Sequence, residues 1–171
     1  YSPPNKAVEY FSKALAMDPQ LPHAFNERGI AYRNLNDIQK ALNDYNEAIK
    51  QDSADADALN NRGNAYAALK NYELAIADYT SAIGWESDHG KAYYNRGNVL
   101  LVLGNLEEAI QDFNMALKLE PENAYAYNNR GLAYHGLGRR DLAMEDWRRA
   151  CRLGLKTACQ WLASQGEEVP G

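Results

Sequence analysis

The segment Asn60-Asn61-Arg62-Gly63-Asn64-Ala65-Tyr66 determines the architecture, because its Arg-Gly centre recurs at a regular period of about 34 residues. The four copies of the pair are Arg28-Gly29, Arg62-Gly63, Arg96-Gly97 and Arg130-Gly131. Self-similarity at a fixed period of this size is typical of a stacked array of repeats, not of a single globular core. The period therefore moves the search for function from one active site to the surface that the repeats build together.

The residues around each Arg-Gly pair predict two antiparallel helices. The first helix carries the glycine, and a short polar turn such as Lys70-Asn71 follows it. The second helix carries a small, an aromatic and a small residue at steps of four and three, which places them on one helix face. These triplets are Ala41/Tyr45/Ala48, Ala75/Tyr79/Ala82, Ala109/Phe113/Ala116 and Ala143/Trp147/Ala150. We expect the small residues and the glycine to let the two helices approach closely while the ring fills the gap.

This pattern resembles the tetratricopeptide repeat family, whose motif runs through Leu-Gly, Tyr, Ala, an aromatic residue, Ala and Pro over about 34 residues. The resemblance covers about residues 4–165. It departs from the motif in that arginine replaces leucine before each glycine, and Ser53 and Ser87 stand where proline is usual. It implies an all-α fold, a right-handed α-solenoid in which antiparallel helix pairs stack into a superhelix.

Both ends of this array are incomplete repeats. The predicted order over residues 1–171 is a half repeat with a second helix only (4–19), repeat 1 (22–55), repeat 2 (56–89), repeat 3 (90–123), repeat 4 (124–155), a C-terminal capping helix (156–165) and a tail (166–171). The half repeat lacks the first helix that would cover one of its faces. This predicts either excision from a longer protein or contact with a second copy.

Composition and charge exclude several classes of function. The net charge of −5 provides no field that would attract nucleic acid or anionic membrane, and no apolar run reaches the length of a membrane helix. His23, His89 and His135 lie in different repeats, and no Cys-x-x-Cys or glycine-rich phosphate loop occurs. We therefore expect no catalysis, no metal and no cofactor.

An aspartate follows each repeated arginine at one constant spacing, at Asp44, Asp78, Asp112 and Asp146. The half repeat and the cap lack both residues, so arginine and aspartate occur together or not at all. An arginine on an apolar helix face needs a partner if it is buried. We therefore predict four ion pairs within the repeats, Arg28–Asp44, Arg62–Asp78, Arg96–Asp112 and Arg130–Asp146. The alternative is a row of arginines that faces an anionic ligand.

Asparagines cluster just before and after each Arg-Gly pair, although asparagine is a poor helix former. One amide can both donate and accept, so a ladder of amides can hold an extended peptide backbone. The ladder Asn61, Asn95 and Asn129 resembles that of O-linked N-acetylglucosamine transferases, which holds peptide backbone; nothing here resembles their catalytic domain. The candidate binding residues on the concave face are Asn60, Asn61, Asn64, Lys91, Tyr94, Asn95, Asn98, Tyr125, Asn128 and Asn129.

Two other interpretations of this surface stay open. The asparagines can bridge neighbouring repeats or solvate the face, without any ligand. The chain can also be an architectural subunit that forms a homo-oligomer through its exposed terminal helices, the N-terminal half repeat above all. A chaperone-type carboxylate clamp is disfavoured, because Asn26, Asn60 and Asn128 occupy its lysine position. The leading prediction is a protein-interaction scaffold that binds an extended peptide or a partner helix.

Cys151 and Cys159 flank the last turn, where Gly154 ends one helix and Thr157 begins the next. The spacing resembles the cysteine-paired loops of secreted Sel1-like repeat proteins. This implies a disulfide and a periplasmic or secreted location. The alternative is two small buried thiols in a reduced cytoplasm. The sequence leaves both open.

Overall fold

The computed structural model describes residues 3–21 and 23–166, which form ten α-helices and no strand. The helices are α1 (Pro4–Met17), α2 (Ala24–Asn34), α3 (Ile38–Gln51), α4 (Ala56–Ala68), α5 (Tyr72–Trp85), α6 (Gly90–Leu103), α7 (Leu106–Leu119), α8 (Ala124–Gly136), α9 (Arg140–Arg152) and α10 (Lys156–Ser164). The predicted all-α fold of antiparallel helix pairs is confirmed. Of the predicted tail, 166–171, all but Gly166 lies outside the described residues.

Contacts divide the chain into two compact units, residues 1–87 and 88–171. Unit 1 contains α1 to α5, in which the pairs α1–α2, α2–α3, α3–α4 and α4–α5 pack together and α2 also contacts α4 directly. Unit 2 contains α6 to α10, in which the pairs α6–α7, α7–α8, α8–α9 and α9–α10 pack together and α6 also contacts α8. The first helices of two successive repeats therefore lie side by side within each unit. We call these surfaces the unit 1 face (α2 and α4) and the unit 2 face (α6 and α8).

Each repeated glycine lies against the aromatic ring of the second helix in its own repeat. A Cβ atom placed on Gly29 would lie 2.6 Å from Tyr45 Cε1, and one on Gly63 would lie 2.7 Å from Tyr79 Cε1. Gly97 and Gly131 have the same relation to Phe113 and Trp147, at 2.9 Å. These four rings are almost completely buried. Glycine therefore lets the helices of a pair approach until the ring of one touches the backbone of the other.

The turn inside each repeat contains one residue in the left-handed region, at equivalent positions of the four repeats. Asn36 and Lys70 take this conformation in unit 1, with φ of 62° and 60°, and Gly104 and Gly138 take it in unit 2. A residue with a Cβ atom is strained in this region, glycine is not, and asparagine tolerates it better than most residues. The shared conformation returns the chain into the second helix of each pair.

The two ends of the array are closed to different extents. On α1, Ala7, Phe11 and Ala14 are half-buried, whereas the equivalent triplet of repeat 1 is buried. At the other end α10 packs against α9, and the ring centroids of Trp161 and Trp147 are 3.7 Å apart. The C-terminal helix thus completes the core of repeat 4, while the inner face of α1 stays partly open.

Candidate functional site

All four predicted arginine–aspartate pairs are present as bidentate ion pairs. In each repeat the arginine Nε donates to one carboxylate oxygen at 2.8 Å, and Nη2 donates to the other at 2.6–2.8 Å. The aspartate side chains are 5–8% exposed and the arginine side chains 19–21% exposed. Burial raises the pKa of Asp146, and its hydrogen bond and ion pair with Arg130 oppose that shift. The Nε and Nη2 groups of each arginine are thus occupied by the aspartate of the same repeat.

A further contact of these arginines reaches the preceding second helix, and the sequence interpretation missed it. Arg62 Nη1 donates to Asn46 Oδ1 at 2.9 Å, and Arg130 Nη1 donates to Asn114 Oδ1 at 2.6 Å. Arg28 makes the same contact with Ser12 Oγ at 3.2 Å. Each acceptor stands 16 residues before its arginine, so a polar residue at that spacing could have predicted the contact from the sequence. These arginines therefore connect successive repeats as well as the two helices of one repeat.

Amide side chains on the unit 1 face bond to one another and to the core. Asn61 Nδ2 donates to Asn26 Oδ1 at 3.0 Å, which joins α4 to α2. Asn64 Oδ1 accepts a hydrogen bond from the Tyr79 hydroxyl at 2.8 Å. Asn61 and Asn64 are half-buried, whereas Asn60 is only 4% exposed and offers little surface to a ligand. Asn61 thus makes the contact between repeats that the alternative interpretation expected.

The unit 2 face carries a similar network between α6 and α8. Asn129 Nδ2 donates to Asn98 Oδ1 at 2.8 Å and lies 3.4 Å from the Tyr94 hydroxyl oxygen. Asn128 Nδ2 donates to Asn129 Oδ1 at 3.0 Å. Asn95, on α6, is half-buried. The two remaining candidates, Lys91 and Tyr125, are exposed near the starts of α6 and α8.

In repeats 1 and 2 the residue after the glycine differs, and so does the hydrogen bonding of the buried tyrosine hydroxyl. In repeat 2 that residue is Asn64, which accepts from Tyr79. In repeat 1 it is Ile30, and the buried Tyr45 hydroxyl has no hydrogen-bond partner among the described residues. Burial raises the pKa of Tyr45 to about 12, and the positive charge of Arg33 opposes the shift. The sequence shows isoleucine at position 30 and asparagine at position 64, but the effect on the hydroxyls becomes clear only when the rings beside them are known.

Cys151 and Cys159 are joined by a disulfide that connects the end of α9 to α10. Ala158 and Leu162 of α10 are buried in the same core cluster as Trp147. The disulfide therefore fixes the helix that covers repeat 4.

Neither a membrane span nor a metal cluster is found in the described part of the chain. Within residues 3–21 and 23–166, no helix combines the length and apolar character needed to span a membrane. The same residues contain no group of three or more His, Cys, Asp or Glu arranged to hold a metal ion.

Comparisons with known proteins agree on the family. Models described as tetratricopeptide repeat match residues 26–87 and 124–153, and one described as TPR repeat matches residues 97–138. None of the curated proteins compared with the chain matches it.

Solved structures give the same result. The first TPR of Spaghetti (RPAP3), solved bound to HSP90 peptide SRMEEVD, is 30% identical with a TM-score of 0.68, covering 71% of this chain and 96% of that one. A crystal structure of MamA is 26% identical with a TM-score of 0.78 and covers 88% of both chains. MamA from Desulfovibrio magneticus RS-1, at 23% identity, TM-score 0.78 and coverage of 88% and 85%, shows the likeness of fold alone. The chain belongs to the tetratricopeptide repeat family.

Proposed function

We propose that this protein is a non-catalytic interaction scaffold whose first-helix faces bind a partner protein through an extended peptide segment. A scaffold role in general agrees with the family and with the peptide-bound RPAP3 relative. The observation that carries the finer proposal is the set of half-buried amides on α4, α6 and α8. Such amides offer donors and acceptors to a peptide backbone whatever its side chains are.

The bonds between repeats are compatible with this role. Asn61 uses one N–H to reach Asn26, which fixes the orientation of its amide. Its Oδ1 then points in a defined direction and can accept from a peptide N–H. A preorganised amide loses less conformational entropy on binding than a mobile one. The bridge therefore prepares the amide for a ligand.

A phage-displayed library of random heptapeptides tests the proposal. We expect the wild-type protein to enrich peptides and the variant Asn61→Ala/Asn95→Ala/Asn129→Ala to lose most of that capture. Asn43→Ala, on the exposed surface of α3, is the matched control and should bind as wild type does. Thermal melting shows whether each variant stays folded. Equal enrichment by the triple variant would contradict the proposal.

Self-association through α1 is a second candidate, favoured by the half-buried Phe11 on the inner face of that helix. A second copy that covered this face would bury the positions whose equivalents are fully buried in repeats 1 to 4. Light scattering over a range of concentrations should then show a dimer that Phe11→Asp abolishes. A monomer at all concentrations would exclude this candidate.

The disulfide favours an oxidising compartment for the protein, since such bonds persist mainly in secreted and periplasmic proteins. We therefore infer a location outside the reducing cytoplasm. An assay of unreduced protein with a thiol reagent should find no free thiol. Two free thiols per chain would support the cytoplasmic alternative.

A further inference from the structure

The capping helix α10 is held to the array differently from the first helices of repeats 1 to 4. Each of those helices carries an arginine that pairs with the aspartate of its own second helix. α10 contains no arginine, and none of its side chains makes a hydrogen bond or an ion pair with another of the described helices. In the part of the chain that the structure describes, the Cys151–Cys159 disulfide takes the place of that ion pair.

Apart from the disulfide, α10 is held by apolar packing. Ala158 and Leu162 are completely buried, and the Trp161 ring contacts the Trp147 ring of α9. The helix has only nine residues, and helices shorter than about 12 residues are marginal in water by themselves. It packs chiefly against α9, whereas α8 packs against α6, α7 and α9. The docked position of α10 therefore depends in part on a covalent bond that can be broken and formed again.

The two cysteines differ in how far an external thiol can reach them. They are eight residues apart, so the intact bond keeps α10 close to the end of α9. Cys151 is only 5% exposed, whereas Cys159 is half-buried. Exchange begins when a thiolate attacks one sulfur of the disulfide, and its rate depends on access to that sulfur. The Sγ of Cys159 is therefore the favoured point of attack.

We propose that the Cys151–Cys159 disulfide is a redox switch that controls whether α10 covers repeat 4. The reductant is a protein dithiol of the Cys-x-x-Cys class, which also acts in oxidising compartments. Its first thiolate attacks Sγ of Cys159, which forms a mixed disulfide and releases the thiolate of Cys151. Its second thiolate then displaces Cys159, so the reductant gives up two electrons and leaves as a disulfide. The two cysteines take up the two protons of the dithiol, and α10 separates from α9 and uncovers Trp147.

Amide hydrogen exchange of the oxidised and the reduced protein tests this switch. After reduction by dithiothreitol the α10 amides should exchange on the order of a hundredfold faster, because the loop constraint is lost. The amides of α5, in unit 1, should keep their rate, and reoxidation should restore slow exchange in α10. Unchanged exchange of α10 in protein whose two thiols are shown to be free would overturn the switch. Equal acceleration in α5 and α10 would also overturn it, because the disulfide would then stabilise the whole fold.

Variants and a protein reductant separate a switch from a merely structural bond. Cys151→Ser/Cys159→Ser should show fast exchange in α10 with or without dithiothreitol. In Trp85→Phe, which removes the exposed tryptophan of unit 1, reduction should make the two remaining indoles more accessible to acrylamide quenching. Accessibility that does not change on reduction would show that α10 stays docked, against the proposal.

Access to the bond in the folded protein is tested with thioredoxin as the dithiol. We expect thioredoxin to reduce the native protein without denaturant, with release of two thiols per chain. A disulfide that thioredoxin reduces only after unfolding in urea would overturn the switch, because no protein reductant could then operate it in the folded chain.

Discussion

Repeat 1 and repeat 2 share the contact of a glycine with a buried tyrosine ring and a bidentate ion pair, and they differ in the residue after the glycine. Both bring a tyrosine ring against Gly29 or Gly63, and both form a bidentate ion pair with equal distances. Repeat 2 then satisfies its tyrosine hydroxyl with an amide, whereas Ile30 leaves that of repeat 1 without a partner among the described residues. The glycine–ring contact and the ion pair thus form a framework that both repeats share, whereas single residues of the first helix differ between them. A repeat can therefore change its surface chemistry without altering its packing.

Loss of one framework ion pair should have the largest effect, and the same effect in both repeats. Asp44→Ala and Asp78→Ala would each leave a mostly buried arginine without its carboxylate, at a cost of about 3 kcal/mol in the free energy of unfolding. Urea denaturation measures this cost. Lys13→Ala, which breaks the exposed Glu9–Lys13 pair, is the control and should not change the unfolding midpoint measurably. Clearly unequal costs for the two aspartates would show that the framework is not constant.

Adding a methyl group at the glycines should be the next largest effect. Gly29→Ala and Gly63→Ala would force the new Cβ into a buried ring, and overpacking of this kind costs about 1–3 kcal/mol, partly offset by the better helix propensity of alanine. Gly84→Ala is the control in α5: because nothing lies within 4 Å of its Cβ position, it should stabilise the protein, by up to about 1 kcal/mol. Thermal and urea unfolding of the three variants would measure these changes in the free energy of unfolding. If all three variants behave alike, the glycines do not set the helix spacing.

The turns distinguish the two repeats more finely. Lys70 holds a φ of 60° in repeat 2, where Asn36 holds 62° in repeat 1. Lysine gains nothing in the left-handed region, whereas the asparagine side chain tolerates it, so Lys70→Gly should raise the unfolding free energy by about 1 kcal/mol and Asn36→Gly by less. The reverse order of stabilisation in urea would contradict this explanation of the turns.

The framework could be predicted from sequence because it repeats. The regular period predicted the helix pairs, and the constant spacing between arginine and aspartate predicted the four ion pairs. The contact of Arg62 with Asn46 obeys the same spacing in the opposite direction and could have been predicted in the same way. Such contacts are predictable because successive repeats contain them at equivalent positions.

The contacts on the unit 1 face were less predictable, because they join residues of different repeats. The sequence marked Asn61 as a ladder residue but did not show that its amide donates to Asn26 on the neighbouring helix. Position 30 carries isoleucine where repeat 2 has asparagine, and the consequence for the Tyr45 hydroxyl depends on packing that the sequence does not display. Side-chain choices that occur once carry no periodic signal.

Comparing the unfolding free energies of Tyr45→Phe and Tyr79→Phe tests most directly whether the residue after the glycine decides the state of the buried hydroxyl. Removing the Tyr79 hydroxyl breaks its hydrogen bond to Asn64 and should cost about 1 kcal/mol. Removing the Tyr45 hydroxyl deletes a buried group that has no partner among the described residues, and should leave stability unchanged or raise it. This difference between two otherwise equivalent tyrosines is the predicted result. Equal costs for the two substitutions would contradict it, because the residue after the glycine would then not decide the state of the buried hydroxyl.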